Sequence, residues 1–235
     1  MSETPFLQAT GLHLERRLQA IDLSLHAGAM TAVIGPNGSG KTSLLRALAR
    51  IERPGGKVLL DGEDLDRMPP AWRSARLGYL PAGREMAWPI PVRDLLRLGS
   101  EDGDVAHDDR SVDAFELAPL MERPVDRLST GERSRVLLAR LLAEPTRLLL
   151  LDEPLSHLDP YWVVGVLRML RSATDKGRTI VLTLHDLHQL GRFDRVLLMD
   201  GGALVADGSP AAILGSPAFE QVFRVRAAEV GGHPA

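Results

Sequence analysis

The chain has 235 residues, of which 25% are charged and 44% hydrophobic, with a formal net charge of −3 and no cysteine. This slightly acidic balance argues against a protein whose main partner is nucleic acid, and the lack of cysteine excludes disulfides and thiolate metal sites. No apolar run reaches the roughly 20 residues that a membrane-spanning helix needs, so direct insertion into a bilayer is not expected. The first fifteen residues lack the charged and apolar regions of a signal peptide, which favours a soluble, cytoplasmic protein.

The first third of the chain alternates strand and helix signals. Short apolar runs bounded by turn residues predict strands, and leucines at helical spacing after Thr42 predict a helix. The predicted strands are 6–14, 21–25, Met30–Ile34, 57–60 and Leu77–Leu80, and the predicted helix is 43–50. Tight turns are expected at 26–28 and 53–56, where glycine or proline residues cluster.

The pattern changes after Pro81. A proline-containing loop at 82–91 leads to helical patterns at 92–98, 111–117 and Thr130–Ala143. The remainder predicts strands at Leu148–Leu151 and 179–184, helices at 161–174 and 186–190, and a hairpin that joins 196–199 to 203–206. We therefore expect a single domain, 1–235, in which a helical lobe of residues 82–145 is inserted into a lobe built from 1–81 and 146–235.

An eight-residue stretch between the third strand and the first helix matches the pattern G-x-x-x-x-G-K-[ST], the Walker A phosphate loop. Its glycines let successive backbone N–H groups face one anion, and the following helix adds the positive end of its dipole. The lysine can reach the β- and γ-phosphates, and the threonine hydroxyl can ligate Mg²⁺. The residues expected to bind a nucleoside triphosphate are Gly35, Pro36, Asn37, Gly38, Ser39, Gly40, Lys41 and Thr42. The lobe that carries this loop is therefore predicted to bind the nucleotide.

Four leucines followed by Asp152 and Glu153 resemble a Walker B strand. Ligands of open α/β sheets bind at the carboxyl ends of the strands, so Asp152 is expected to hold Mg²⁺ there through water. Glu153 is expected beside the γ-phosphate, where a carboxylate can act as general base toward the attacking water.

A third pattern, Leu128-Ser129-Thr130-Gly131-Glu132, lies between the two Walker motifs and leads into the long predicted helix. Ser129 can cap that helix, and Gly131 allows close backbone approach to a phosphate. In this position the pattern resembles the LSGGQ signature of ATP-binding cassette (ABC) ATPases. In that family the signature of one subunit closes on the γ-phosphate held by the other. The resemblance therefore implies a head-to-tail dimer of two copies of this chain, with Ser129, Thr130, Gly131 and Glu132 completing the second copy's nucleotide site.

Two further landmarks of the family follow in order. Ser156-His157-Leu158-Asp159 resembles the D-loop, whose Asp159 is implied to cross the dimer interface, and His157 replaces the usual alanine. His185 resembles the switch histidine, which is implied to hydrogen-bond the γ-phosphate and to orient the general base and water. The resemblance covers essentially the whole chain and implies an α/β fold of the P-loop NTPase (RecA-like) type. It implies an N-terminal antiparallel β subdomain, the inserted α-helical lobe, and ATP with Mg²⁺ as cofactors.

Two features of the family are missing. The glutamine that usually follows the strand ending near Pro81, and that touches Mg²⁺ and couples to the membrane partner, is replaced by Ala82. A neighbour such as Glu85 or a water would have to substitute, and we expect reduced rather than abolished hydrolysis. No aromatic residue occurs between Phe6 and Trp72 to stack on adenine, so the base is expected to rest near residues 12–14 and to bind less tightly.

Softer motifs indicate the kind of ABC protein. The stretch 88–95 with Leu98-Gly99, and the patterns at 203–208 and 219–226, are similar to ATPases of bacterial iron–siderophore, haem and cobalamin importers. The resemblance implies a subunit on the cytoplasmic face of the inner membrane, attached through a separate polytopic permease. The exposed Trp88 loop would form the seat for that permease.

Alternatives within the family are zinc or manganese importers and an ABC ATPase that moves a soluble partner. A GTPase is excluded because Asn37 is the only asparagine and no N-K-x-D motif exists. A P-loop kinase would lack the signature, and an ABC ATPase of DNA repair usually separates its Walker motifs by a long coiled coil.

Overall fold

The computed structural model describes residues 5–84, 86, 88–98 and 109–224, with the backbone only at 109 and 110. The strands, numbered in chain order, are β1 Leu7–Leu14, β2 Leu18–Leu25, β3 Met30–Ile34, β4 Gly55–Leu60, β5 Glu63–Asp64, β6 Leu77–Leu80, β7 Leu148–Leu151, β8 Thr179–Thr183, β9 Arg195–Asp200 and β10 Ala203–Gly208. The α-helices are α1 Lys41–Leu48, α2 Pro70–Ser74, α3 Val92–Arg97, α4 Asp109–Ala114, α5 Thr130–Ala143, α6 Pro160–Asp175, α7 Pro210–Leu214 and α8 Pro217–Phe223. Short 3-10 helices lie at Ala118–Leu120, Val125–Arg127 and Leu187–Arg192. Every helix in the described ranges is too short or too polar to cross a lipid bilayer.

A six-stranded sheet with the order β10-β9-β3-β8-β7-β6 forms the centre of the molecule. Its five strands from β9 to β6 are parallel, and β10 pairs antiparallel with β9. Every residue of β3, β7 and β8 is buried, as is typical of parallel strands covered on both faces. The all-leucine strand Leu148–Leu151 is therefore confirmed.

The strand register aligns the carboxyl ends of four strands. Leu80 pairs with Leu151, Leu151 pairs with Leu182, and Val33 pairs with Thr183. The residues that follow β3, β6, β7 and β8 therefore meet at one edge of the sheet, where ligands bind in open α/β folds.

Alternate residues of the parallel strands feed two separate apolar cores. Leu149 and Leu151 pack in one core with residues of α5 and α6. Leu148 and Leu150 face the other core, which contains the leucines of α1 and the inner face of a second sheet. Full burial of a leucine contributes about 1.5–3 kcal/mol, so this strand ties the two layers to the central sheet.

The second sheet is antiparallel, with the order β2-β1-β4-β5. β1 alternates buried and exposed side chains over most of its length, which is the pattern of a sheet with one face on the core. β4 begins at Gly55, so the tight turn predicted for 53–56 is wrong in its second half. A Cβ atom on Gly56, whose φ is +80°, would lie 2.3 Å from the Gly11 carbonyl oxygen, so only glycine permits this close strand pairing.

The predicted helix Thr130–Ala143 and the strands Met30–Ile34 and Leu77–Leu80 are found with the expected bounds. α1 begins at Lys41 rather than at 43, because Gly40 caps it with φ +102° and the phosphate loop enters the helix directly. The segment predicted as a helix at 186–190 is a 3-10 helix, Leu187–Arg192. Between residues 82 and 145, the described chain contains α3, α4, α5 and two of the 3-10 helices.

Candidate nucleotide site

The phosphate loop joins β3 to α1 at the aligned edge of the sheet. A Cβ atom on Gly35 would lie 2.2 Å from the Met199 carbonyl oxygen, so the loop can pass β9 only with glycine at this point. Lys41 is buried, and its Nζ donates to the carbonyl oxygens of Gly35 at 2.8 Å and Pro36 at 3.0 Å. Burial lowers the pKa of Lys41 although nearby Glu153 and Asp152 act to raise it.

Asp152 brings the end of β7 against the start of α1. Its Oδ1 accepts hydrogen bonds from Thr42 Oγ1 at 3.2 Å and Thr183 Oγ1 at 3.0 Å. Asp152 is fully buried, yet its Oδ2 has no hydrogen-bond partner among the described residues. A buried carboxylate oxygen without a partner is costly unless a cation or water meets it. A carboxylate and a hydroxyl are oxygen donors, which Mg²⁺ prefers together with substrate phosphates, so these residues fit that ion.

Glu153 and His185 form a hydrogen-bonded pair beside Asp152. His185 Nε2 lies 2.9 Å from Glu153 Oε1, and Ser156 Oγ donates to Glu153 Oε2 at 3.2 Å. Burial alone would raise the pKa of Glu153, but the hydrogen bonds from His185 and Ser156 and the charge of Lys41 outweigh it and lower the pKa. The carboxylate is therefore ionised at neutral pH, which a general base requires.

Thr183, at the end of β8, holds both acidic residues in place. Its Oγ1 donates to Asp152 Oδ1 and accepts from the backbone N–H of Glu153 at 2.6 Å. Thr183 belongs to none of the motifs that predicted the site. A threonine that ends a buried strand two residues before His185 was the available signal.

The phosphate loop and the Glu153–His185 pair line one open cleft of about 520 Å³. It is within the usual size range of small-molecule sites. Its lining consists of Arg16, Arg17, Asn37, Gly38, Ser39, Gly40, Lys41, Thr42, Ser43, Glu153, His185, Gly201 and Gly202. Ser39 is buried, and its Oγ has no partner within the part of the chain that the structure describes, as expected beside an anion site.

Residues 12–14, near which the adenine base was expected to rest, do not line the cleft that contains the phosphate loop. Leu12 and Leu14 are buried because alternate residues of β1 face the core. Arg16 and Arg17 form the wall of the cleft instead, and Arg17 is paired with Glu52. A guanidinium plane can stack on a nucleobase, as an aromatic ring does.

The signature residues do not line this cleft. Ser129 caps α5 by accepting from Glu132 N–H at 3.2 Å, and its own N–H donates to Glu132 Oε2 at 2.8 Å. Arg123 Nη1 donates to Glu132 Oε1 at 2.8 Å. Burial would raise the pKa of Glu132, but the hydrogen bonds from Ser129 and the charge of Arg123 lower it. The four residues Ser129 to Glu132 therefore contain a complete capping box at the N-terminus of α5, outside the cleft.

The segment that resembles a D-loop lies next to the signature. A Cβ atom on Gly131 would lie 3.1 Å from the His157 carbonyl oxygen. Asp159 Oδ1 accepts from Trp162 N–H at 3.0 Å and so caps α6. Asp159 does not line the cleft either.

Ala82 contributes only a methyl group at the position of the expected glutamine, and Glu85 lies outside the described residues. The buried Arg84 reaches the site instead, since its Nη2 donates to the Glu153 carbonyl oxygen and its Nη1 to Ser134 Oγ. Sequence reasoning missed Arg84 because a lone arginine in a loop gives no signal of burial.

Comparison with known proteins agrees with this geometry. The family model of the ABC transporter matches residues 18–156. The hemin import ATP-binding protein HmuV of Rhizobium meliloti is 36% identical over 89% of this chain and 86% of its own length. The cobalamin import ATP-binding protein BtuD of Halobacterium salinarum is 34% identical over 97% of this chain, which spans 61% of that protein.

A solved dimeric ATP-binding cassette in a post-hydrolysis state, bound to ADP and Pi, superposes with a TM-score of 0.78 at 19% identity, over 87% of this chain and 98% of the other. At that identity it shows the fold, and the predicted P-loop NTPase architecture is confirmed. The chain therefore belongs to the ABC transporter family, and it is an ATPase that binds ATP together with Mg²⁺.

Proposed function

We propose that this chain is the ATP-hydrolysing subunit of an importer, and that two copies close head to tail on two ATP molecules to drive a separate membrane permease. The proposal rests on the separation of the phosphate-binding and catalytic residues from the signature residues within one chain. Lys41, Asp152, Glu153 and His185 lie at one edge of the sheet, whereas the signature at Ser129 lies outside their cleft. A second copy that presents its signature would complete the site.

Within one copy, the loop 35–40 and Lys41 bind the phosphates, and Thr42 with Asp152 would hold Mg²⁺. When bound, the ion neutralises charge on the β- and γ-phosphate oxygens. Glu153 accepts the proton of the water that attacks the γ-phosphorus, while the bond from this phosphorus to the bridging oxygen of ADP breaks. His185 keeps the Glu153 carboxylate oriented through the 2.9 Å contact.

The second copy would contribute Ser129, Thr130, Gly131 and Glu132 at the start of α5. A helix N-terminus directs unpaired N–H groups and a partial positive charge at an anion, which suits the γ-phosphate. Because Arg123 and the helix end already compensate the charge of Glu132, this carboxylate need not repel ATP.

Closure of the dimer can be tested with the Glu153→Gln chain, which retains the phosphate loop but lacks the base. We expect this variant to run as a dimer on size-exclusion chromatography with ATP and Mg²⁺, and as a monomer without ATP. Lys41→Ala is the matched control and is expected to remain monomeric in both conditions. A Glu153→Gln chain that binds ATP and stays monomeric at high protein concentration would contradict the dimer.

The chain would sit on the cytoplasmic face of the inner membrane, peripheral and attached through its permease. Two relatives are named for import of hemin and of cobalamin, which supports a cargo in the iron–siderophore, haem or cobalamin group. Co-purification with a polytopic membrane protein would support a transport subunit. Uptake of labelled haem, ferric siderophore, cobalamin, Zn²⁺ or Mn²⁺ into vesicles would then separate the cargo groups. Co-purification with a soluble partner alone would favour the non-transport role.

The loop around Trp88 is the proposed seat for the permease. The Trp88 side chain is 74% exposed, while neighbouring Met86 and Ile90 pack on the core beside α3. A large exposed aromatic residue on an anchored loop is typical of an interface. We expect Trp88→Ala to reduce transport in reconstituted vesicles while ATP affinity stays unchanged, and normal transport by this variant would remove the proposal. The division into a nucleotide-binding lobe, 1–81 and 146–235, and a helical lobe, 82–145, belongs to the same proposal.

A further inference from the structure

Arg84 lies in the loop that follows β6, two residues after Ala82. Its side chain is only 7% exposed and sits between the end of β7 and α5. Burial lowers the pKa of Arg84, whereas the negative charges of Glu153 and Asp152 raise it. Burial of a guanidinium costs free energy unless protein hydrogen bonds replace those it made to water. The hydrogen bonds of Arg84 therefore fix its position.

The guanidinium joins two elements that are distant in sequence. One nitrogen, Nη2, donates to the carbonyl oxygen of Glu153, and the other, Nη1, donates to Ser134 Oγ. Ser134 is fully buried, and its Oγ in turn donates to the Thr130 carbonyl oxygen at 2.8 Å. A continuous chain of hydrogen bonds therefore runs from Glu153 to the first turn of α5.

Glu153 needs this support because its backbone is unusual. Its φ is +51°, in the left-handed region that non-glycine residues seldom adopt. Such a conformation persists only where the surroundings hold it. The N–H of Glu153 is held by Thr183 Oγ1, and its carbonyl oxygen is held by Arg84. The carbonyl oxygen also accepts from Ser156 N–H at 3.1 Å, so both peptide groups that flank Glu153 are held by hydrogen bonds, and its Oε1 lies 2.9 Å from His185 Nε2.

We propose that Arg84 is a positioning residue for Glu153. It connects the loop after β6 and helix α5 to the general base, and the methyl group of Ala82 cannot make this connection. The inference rests on the proposed role of Glu153 as base. Because Thr130 begins α5, movement of the helical segment would reach the carboxylate through this guanidinium. Arg84 itself touches no reacting atom.

The test compares Arg84→Met with a matched arginine. Arg178 is also partly buried, and its guanidinium donates to the carbonyl oxygens of Leu142 and Glu144 at the far end of α5. Arg178→Met therefore removes similar hydrogen bonds without a link to Glu153. Each variant is measured for thermal unfolding, affinity for a fluorescent ATP analogue, and steady-state ATP hydrolysis per folded molecule.

We expect Arg84→Met to lower kcat by roughly 10- to 100-fold, the loss typical of a hydrogen bond to a charged group, with KM and analogue affinity changed by less than about 3-fold. Arg84→Lys is expected to recover part of kcat, because an ammonium can still donate to the Glu153 carbonyl oxygen. Arg178→Met is expected to lower the unfolding temperature but to keep kcat per folded molecule. Equal kcat losses in the two methionine variants, or none in Arg84→Met, would overturn the inference.

Ser134→Ala decides the matter if Arg84→Met does not fold. It leaves Arg84 in place but removes its acceptor on α5, and we expect kcat to fall by about 2- to 10-fold at constant KM. An unchanged kcat in Ser134→Ala would count against the inference. Glu153→Gln is measured alongside, because full activity in that variant would refute the role of the base itself rather than the role of Arg84.

Discussion

The phosphate edge and the signature end are both built on a helix N-terminus, yet they satisfy their polar groups differently. At the phosphate edge, Ser39 Oγ and Asp152 Oδ2 are buried without a partner among the described residues. At the signature end, Ser129 and Glu132 satisfy each other, and Arg123 completes the pair. The first region is incomplete without a ligand, whereas the second is a finished helix cap. ATP and Mg²⁺ therefore fit the phosphate edge, and the contrast supports the proposal that the signature reaches them from a second copy.

The largest effect is expected from Glu153→Gln. Loss of a general base typically lowers kcat by about 10²- to 10⁴-fold, while the loop and Lys41 continue to bind ATP. Hydrolysis of ATP and binding of a fluorescent analogue are to be measured on the same preparation, with the exposed Glu63→Gln as control. Near-normal hydrolysis would show that Glu153 is not the general base, and the phosphate edge would then lose its assigned catalytic role.

Dimers that contain two different variants test directly whether the phosphate edge and the signature of one site come from different copies. Lys41→Ala removes the phosphate edge, and Thr130→Glu adds a negative charge at the exposed first residue of α5, where it favours the helix but repels a γ-phosphate. Each variant alone is expected to be inactive. An equal mixture should recover up to about a quarter of the wild-type rate, since half of the dimers formed at random contain one intact site.

The matched control for the mixture is Lys41→Ala with Glu153→Gln. Both changes lie on the phosphate edge, so no mixed dimer contains an intact site and no recovery is expected. Absence of recovery in the first mixture would show that the signature acts within its own chain. Recovery in the control would show that Lys41 and Glu153 do not serve the same site.

A change in pH dependence is the next effect in size. The pKa of Glu153 is lowered below its ordinary value of about 4.3, because hydrogen bonds from His185 and Ser156 and the charge of Lys41 outweigh burial. The base is ionised above its pKa, so wild-type kcat should fall only in strong acid. His185→Ala removes the principal hydrogen bond and leaves burial, which raises the pKa. The acid limb of the kcat profile should therefore move to higher pH, and circular dichroism at each pH excludes unfolding as its cause. An unmoved limb would show that His185 does not act on Glu153.

The smallest effect is a loss of stability at the signature end. Ser129→Ala removes an N-cap, which usually costs about 1 kcal/mol. Ser216 caps α8 in the same way, accepting from Phe219 N–H at 3.2 Å, and serves as the control. Urea unfolding should show similar losses in both variants. A fall in ATP-driven dimer formation is expected in Ser129→Ala alone, and an equal fall in Ser216→Ala would mean that only stability was measured.

Elements with strong local signals could be predicted from the sequence. The leucine run of β7 and the capping serine of α5 each determine an element by local chemistry, and both have the expected bounds. Gly55 and Gly56 suggested a turn, but their actual role is a close approach to His13 and Gly11 of β1, which depends on a strand far away in sequence. The same limit applies to the site. Lys41 and Asp152 follow from motifs, but the hydrogen bonds of Thr183 and Arg84 exist only after the strands are aligned.

The bonds from Lys41 to the carbonyl oxygens of Gly35 and Pro36 also bear on how fast nucleotides exchange. They hold the loop in its curled form within the chain itself. Ordering one residue's backbone costs about 1–2 kcal/mol, and for these residues that entropy is lost during folding rather than on ligand capture. We therefore expect ATP to associate without prior ordering of the loop.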